Sequence, residues 1–149
     1  MRINSFADVS LRLLMVLTSA PPHQLHTTRE LAELVGTPYN HVSKAVLKLR
    51  QMELVEALRG RSGGVRITPA GRTATVGQVL RVLEGHQDAA GCEGGMGGCP
   101  LAHSCGLRGV LNHAREAFYQ SLDGVQLGSL AAPAQAGPIP VTLGTSRPA

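Results

Sequence analysis

Gly91 to Gly106 read GCEGGMGGCPLAHSCG and contain every cysteine of the chain: Cys92, Cys99 and Cys105. Six residues separate the first two and five separate the last two. Three thiols so close together, and odd in number, argue against a closed disulfide framework. They argue for a ligand that takes three sulfurs and a fourth contact from elsewhere. Gly94, Gly95, Gly97 and Gly98 let the backbone fold tightly around whatever the sulfurs hold. Structural zinc loops usually pair ligands roughly two to four residues apart. Both gaps here are wider, which suits an iron–sulfur cluster whose irons each need a thiolate some distance apart. Spacing alone leaves zinc and free thiols as competing readings.

The elements around this loop are bounded by length and composition. The 149 residues fit one domain of ordinary size with room for a tail. Two Phe, two Tyr and no Trp make the core aliphatic, which fits small packed helices. No unbroken apolar run approaches the ~20 residues needed to cross a bilayer. The opening MRINSFADVSLRLLMVLTSA resembles a signal peptide, but Asp8 and Arg12 interrupt it and helical periodicity accounts for it better. Reduced thiols and no membrane segment lead us to expect a cytoplasmic protein. No Ser/His/Asp set, phosphate loop or paired catalytic carboxylates stand out, so no enzyme is expected. The net charge of +4 is uneven: residues 1–72 hold ten Lys/Arg against five Asp/Glu, and residues 73–149 four against five. A basic front half attracts phosphate by releasing counterions.

In chain order, Phe6, Val9, Leu13, Leu14 and Leu17 predict a helix over Ser5 to Ser19, ended by Pro21 and Pro22. Asp8 and Arg12 lie four apart on one face, close enough to pair. Thr27 and Glu30 have the offset of a capping box and predict a second, short helix that stops at Gly36. Thr37 as cap and Pro38 at the first helical position then open a third helix, YNHVSKAVLKLRQM. Its inner face is Val42, Val46, Leu49 and Met52; its outer face shows Tyr39, Asn40, His41, Ser43, Lys44 and Lys48.

Two short helices around a glycine turn, the second opening with polar and basic residues, have the pattern of a helix-turn-helix. Tyr39, Asn40, Ser43 and Lys44 are placed to reach base edges or phosphates, and Thr28, Pro38 and Lys48 flank them as further contacts. Leu54 to Leu58 and Val65 to Thr68 read as two strands joined by RGRSGG, a hairpin with Arg59 and Arg61 at its tip. A helix-turn-helix followed by a basic hairpin is a winged helix, with Arg61 and Arg59 as minor-groove or phosphate contacts.

Thr75 to Glu84 predicts a fourth helix stopped by Gly85. After Cys105, a stripe of Leu107, Val110, Leu111, Ala114, Ala117, Phe118 and Leu122 predicts a long helix suited to a dimer seam. The fold class expected is therefore mainly α with a small β-hairpin wing: a winged helix-turn-helix plus a long dimerisation helix. The expected divisions are a DNA-binding domain over 1–84, a ligand loop over 85–106, a dimerisation helix over 107–123 and a Pro/Ala/Gly-rich tail over 124–149 without regular structure.

These motifs together, TPYNHVSKAVLKL, RGRSGG, LEG and the three-cysteine loop, resemble the iron–sulfur winged-helix regulators related to IscR and NsrR, over roughly residues 1–123. The resemblance implies a homodimer that binds double-stranded operator DNA under control of its cluster. The IscR-like pattern has a histidine three residues beyond the last cysteine; here Arg108 stands there. The NsrR-like pattern, with a 4Fe–4S cluster and nitric oxide as its signal, takes an aspartate near the start of the first helix from the other subunit. Asp8 in FADVSLR matches it, with Arg12 orienting the carboxylate. The first cysteine gap is one residue longer than that pattern. His103, His113 and Glu93 are the other candidate fourth ligands. The implied function is a repressor that releases DNA when nitric oxide attacks its cluster. The competing readings are an iron- or redox-sensing regulator, a 2Fe–2S cluster, and a zinc-stabilised or electron-transfer protein.

Overall fold

The computed structural model describes residues 2–85 and 105–130. Its elements are α1 (Ser5–Ser19), α2 (Thr28–Val35), α3 (Tyr39–Gln51), β1 (Val55–Leu58), β2 (Gly64–Ile67), α4 (Pro69–Thr73), α5 (Val76–Glu84), α6 (Gly106–Ser121) and α7 (Leu127–Leu130). The mainly helical fold with a two-stranded hairpin matches the expected class.

α1 is the central helix because its apolar residues cover more than one face. Ala7, Leu13 and Leu14 are fully buried, and Leu17 nearly so. α1 packs on α2, α3, α4, α5 and α7 and on β2, while α6 packs on α5. Burying one such leucine contributes on the order of 2 kcal/mol. Asn4 caps its start, its side chain accepting from the Ala7 backbone N–H at 2.8 Å. At the other end, Arg72 reaches back across the fold. Its guanidinium donates to the carbonyls of Thr18 at 3.3 Å and Ala20 at 2.9 Å, satisfying acceptors that a helix end leaves open.

Local chemistry sets the other helix boundaries. Thr27 and Glu30 form the expected capping box at α2, and Thr75 with Gln78 forms a second one at α5. Gly36 ends α2 in a left-handed conformation, φ 62°, while the Thr37 N–H bonds the Ala32 carbonyl at 3.0 Å. The expected Thr37 cap does not form. The Thr37 hydroxyl turns back to the Val35 carbonyl at 3.3 Å, and Pro38, with extended backbone, is itself the residue that opens α3. Helix-end geometry at Gly36 consumes Thr37 before α3 begins.

β1 and β2 pair antiparallel, Val55 opposite Ile67 and Leu58 opposite Gly64. Glu56 and Arg66 face each other in that register and pair at 2.7 Å. The hairpin is also tied to the chain before α2, through reciprocal backbone bonds between His26 and Val65 at 3.0 and 2.7 Å. The wing is thereby fastened close to its turn, one residue from the Leu58 and Gly64 pair.

The residues after α6 differ from expectation. Residues 127–130 form a short helix, and Leu127 is fully buried against the core. Its N–H bonds the Ala74 carbonyl at 3.1 Å, and Val125 accepts from the Val76 N–H at 2.9 Å. A lone leucine in a Pro- and Ala-rich stretch has no periodic partner, so only the docking site on α1 and α4 reveals its role. No helix among the described residues is long and apolar enough to cross a membrane.

Candidate DNA interface and ligand site

The outer face of α3 is built by subtraction. Val42, Ala45, Val46 and Leu49 point inward, which leaves Tyr39, Asn40, Ser43 and Lys44 exposed along two adjacent rows of the first two turns. His41 and Leu47 are exposed beside them. Pro38 stands exposed at the helix opening, and Thr28 is half-buried at the first position of α2. Lys48 sits apart from this group. It is half-buried and lines a cleft of about 460 Å³ between α3 and α5, with Gln51, Met52, Leu54 and Val82. Arg59 and Arg61 are exposed at the hairpin tip, where a bond from the Gly63 N–H to the Gly60 carbonyl at 3.0 Å closes the turn. Exposed donors on a helix opening and on a basic hairpin are what phosphate and base-edge contacts require.

Of the expected sulfur ligands, Cys105 lies among the described residues; Cys92 and Cys99 lie outside them, as do the candidate fourth ligands Glu93 and His103. Cys105 is a free, half-buried thiol at the start of α6, and its side chain makes no capping bond there. A sulfur engaged neither in a disulfide nor in a cap fits the donor a cluster needs. His113 is exposed on α6. Asp8 lies in the first turn of α1. Its Oδ2 meets the Arg12 guanidinium at 2.8 Å, as the i,i+4 spacing leads one to expect. Half of its side chain remains exposed, and Oδ1 is not used by that bond. The carboxylate is thus held in one direction and accessible from outside.

Two long-range features around this site carried no sequence signal. The first is a bond from the Asn4 backbone N–H to Glu84 Oε1 at 2.9 Å, joining the start of α1 to the last residue of α5. The second is centred on Arg81. Its guanidinium bonds Glu116 at 2.7 Å and Asp123 at 2.5 and 2.8 Å, and lies 5.6 Å from the centroid of the Tyr119 ring. The two carboxylates hydrogen-bonded to it hold the Arg81 pKa above its already high ordinary value. In return, the Arg81 bond holds Glu116 and Asp123 below theirs. Tyr119 is pushed up, first by burial and then by the negative charge of Glu84.

The expected stripe on α6 divides in two. Phe118 and Leu122 pack against the core beside Tyr119, which the stripe omitted and which is the buried residue of the helix. Leu107 and Val110 are 63% and 66% exposed. The first half of α6 therefore presents apolar side chains that stand exposed among the described residues.

A profile of the Rrf2 family, described as "Iron-dependent Transcriptional regulator", matches residues 3–133. The chain is 44% identical over 149 residues to the HTH-type transcriptional repressor NsrR of Streptomyces coelicolor, spanning 99% of both chains. It is 32% identical over 131 residues to the HTH-type transcriptional regulator NsrR of Bacillus subtilis, covering 87% of this chain and 90% of that one. Among solved structures, T. potens IscR superposes with a TM-score of 0.69 at 19% identity, covering 92% of this chain and 93% of that one. The oxidized form of Staphylococcus aureus CymR superposes with a TM-score of 0.64 at 22% identity, covering 89% and 98%. At these identities the two structures speak to fold alone.

Proposed function

The chain belongs to the Rrf2 family of transcriptional regulators, and from that premise we propose that it is a cytoplasmic, homodimeric repressor of the NsrR kind. It binds operator DNA while a 4Fe–4S cluster is intact and releases it in response to nitric oxide. The observation that carries the proposal is the full-length similarity to a repressor of that name, joined by an aspartate in the first turn of α1 that is accessible from outside.

The donor set is Cys92, Cys99 and Cys105 from one subunit and Asp8 from the other. A cluster held by these residues would supply the centre that reacts with nitric oxide, and the Asp8 carboxylate would tie it to the second subunit. A carboxylate oxygen is a hard ligand among soft sulfurs, which makes its bond the weakest of the four.

The chain's own residues do the remaining work. Arg12 keeps the Asp8 carboxylate on the outer face of α1. The exposed Leu107 and Val110 supply apolar surface that a second copy would cover. α1 packs directly on α3, so a pull or release at its first turn reaches the reading helix through a shared core. Tyr39, Asn40, Ser43 and Lys44 read and position DNA, with Thr28, Pro38 and Lys48 at the margins, and Arg59 and Arg61 clamp the backbone from the wing. Two such surfaces fit half-sites about 34 Å apart.

The test is operator binding by anaerobically purified full-length protein, with and without nitric oxide, and visible absorption of the same sample. Tight binding that nitric oxide abolishes, together with loss of cluster absorption, is the expected result. A colourless, zinc-containing sample with unaltered binding would refute the proposal. Asp8→Ala should lose its cluster faster than wild type; equal lifetimes would remove Asp8 from the ligand set.

A further inference from the structure

α5 and α6 run antiparallel and are fastened at one end. The N–H groups of Val76 and Gly77, free because they open α5, donate to the carbonyls of Val125 at 2.9 Å and Leu122 at 3.2 Å. Gly77 makes this closeness possible: a Cβ there would collide with the Tyr119 carbonyl and the Asp123 carboxylate. One turn further along α5, Arg81 bridges Glu116 and Asp123 across the Tyr119 ring. Past that bridge α5 has only three residues left, whereas α6 continues back to Cys105 for about 16 Å at a helix's rise per residue. Residues 106–110 are all exposed.

We infer that Arg81 is a positioning residue that aims the arm formed by residues 105–115, and so sets how strongly the ligand state at Cys105 is transmitted through α5 and α1 to α3. This rests on the sensing function proposed above. A planar guanidinium is suited to the place, since it can hold two carboxylates at once and lie against a ring; an ammonium cannot reproduce that fork. The bridge joins the two helices that bracket the cysteine loop, and α5 packs on α1 and contributes the buried Val79 and Leu80 to the core.

Two measurements on the full chain test this, using Arg81→Gln and Arg81→Lys. The first is amide hydrogen exchange of cluster-free protein. Arg81→Gln should exchange faster across residues 106–115 while α1–α3 keep their protection; unchanged exchange in α6 overturns the inference whatever the protein senses. The second is the ratio of operator affinities with and without the cluster. It should fall about tenfold in Arg81→Gln and less in Arg81→Lys. A wild-type ratio retained in Arg81→Gln overturns the coupling role. A wild-type ratio of one defeats the sensing function itself, and with it the transmission part of the inference, while the exchange experiment still decides whether Arg81 aims the arm. Where Arg81→Gln does not fold, Glu116→Gln combined with Asp123→Asn removes the same bridge and is held to the same outcomes.

Discussion

Glu84 accepts a hydrogen bond from the Asn4 backbone N–H at 2.9 Å, across 80 residues of sequence. The bond places a carboxylate at the start of α1, where the helix dipole favours negative charge. It also means that the residue just before Gly85 and the cysteine loop holds the turn that carries Asp8.

Glu84→Ala should therefore loosen the first turn of α1 and lower the stability of cluster-free protein by about 1 kcal/mol. Denaturant unfolding gives the total, and hydrogen exchange at Ala7 and Asp8 gives the location. Glu84→Gln keeps an acceptor and should recover part of the loss. Identical unfolding curves for Glu84→Ala and wild type would show that the bond contributes nothing.

On the DNA side, a base-reading residue and a phosphate-binding one should fail differently. Asn40→Ala should cost about 1–3 kcal/mol on the preferred operator and relax discrimination at one base position. Lys44→Ala and Arg61→Ala should weaken binding across all sequences and each reduce the salt slope by about one. Titrations at several salt concentrations separate the two. A salt slope unaltered by Arg61→Ala would remove the wing from the interface.

Gly77→Ala tests the seam between α5 and α6. The added methyl meets the Tyr119 carbonyl and the Asp123 side chain, so the helices must part or Asp123 must leave Arg81. A loss of about 1–3 kcal/mol is expected in urea unfolding. Gly109, which has nothing within 4 Å of an added Cβ, is the control: Gly109→Ala should be neutral or slightly stabilising.

Acid should release the Arg81 bridge in a defined direction. Glu116 and Asp123 are lowered in the folded chain, chiefly by the hydrogen bond from Arg81. Their contribution is thus fully present above the ordinary carboxylate range, about pH 4, and is lost as pH falls through the lowered values. The difference in thermal midpoint between wild type and Arg81→Gln should narrow as cluster-free protein is taken from pH 7 towards pH 2. A difference that stays constant would mean that these ion pairs do not stabilise the fold.

Most helix boundaries were legible in the chain because the chemistry that sets them is local. α1 spans Ser5–Ser19 as its apolar spacing predicts, and Thr27 with Glu30 caps α2 as their offset predicts. The exposed row Tyr39, Asn40, Ser43 and Lys44 follows from which α3 residues are apolar. The i,i+4 pair of Asp8 and Arg12 follows from helix geometry alone. Where two local signals competed at one position, as at Thr37, the reading failed, because the end of α2 claimed the hydroxyl first.

Partners far apart in sequence were another matter. Arg81 finds Glu116 and Asp123, Asn4 finds Glu84, His26 finds Val65, and Leu127 finds α1 only after the helices have packed. No periodicity marks such residues, since an arginine on a half-exposed face looks the same whether it meets water or two carboxylates. The amino-acid order alone determined five of the helices, the polar outer face of α3 and the thiols available for a ligand. Tertiary packing decided which charges bridge those helices and which apolar side chains of α6 stand exposed among the described residues, because both depend on distances that exist only in the folded chain.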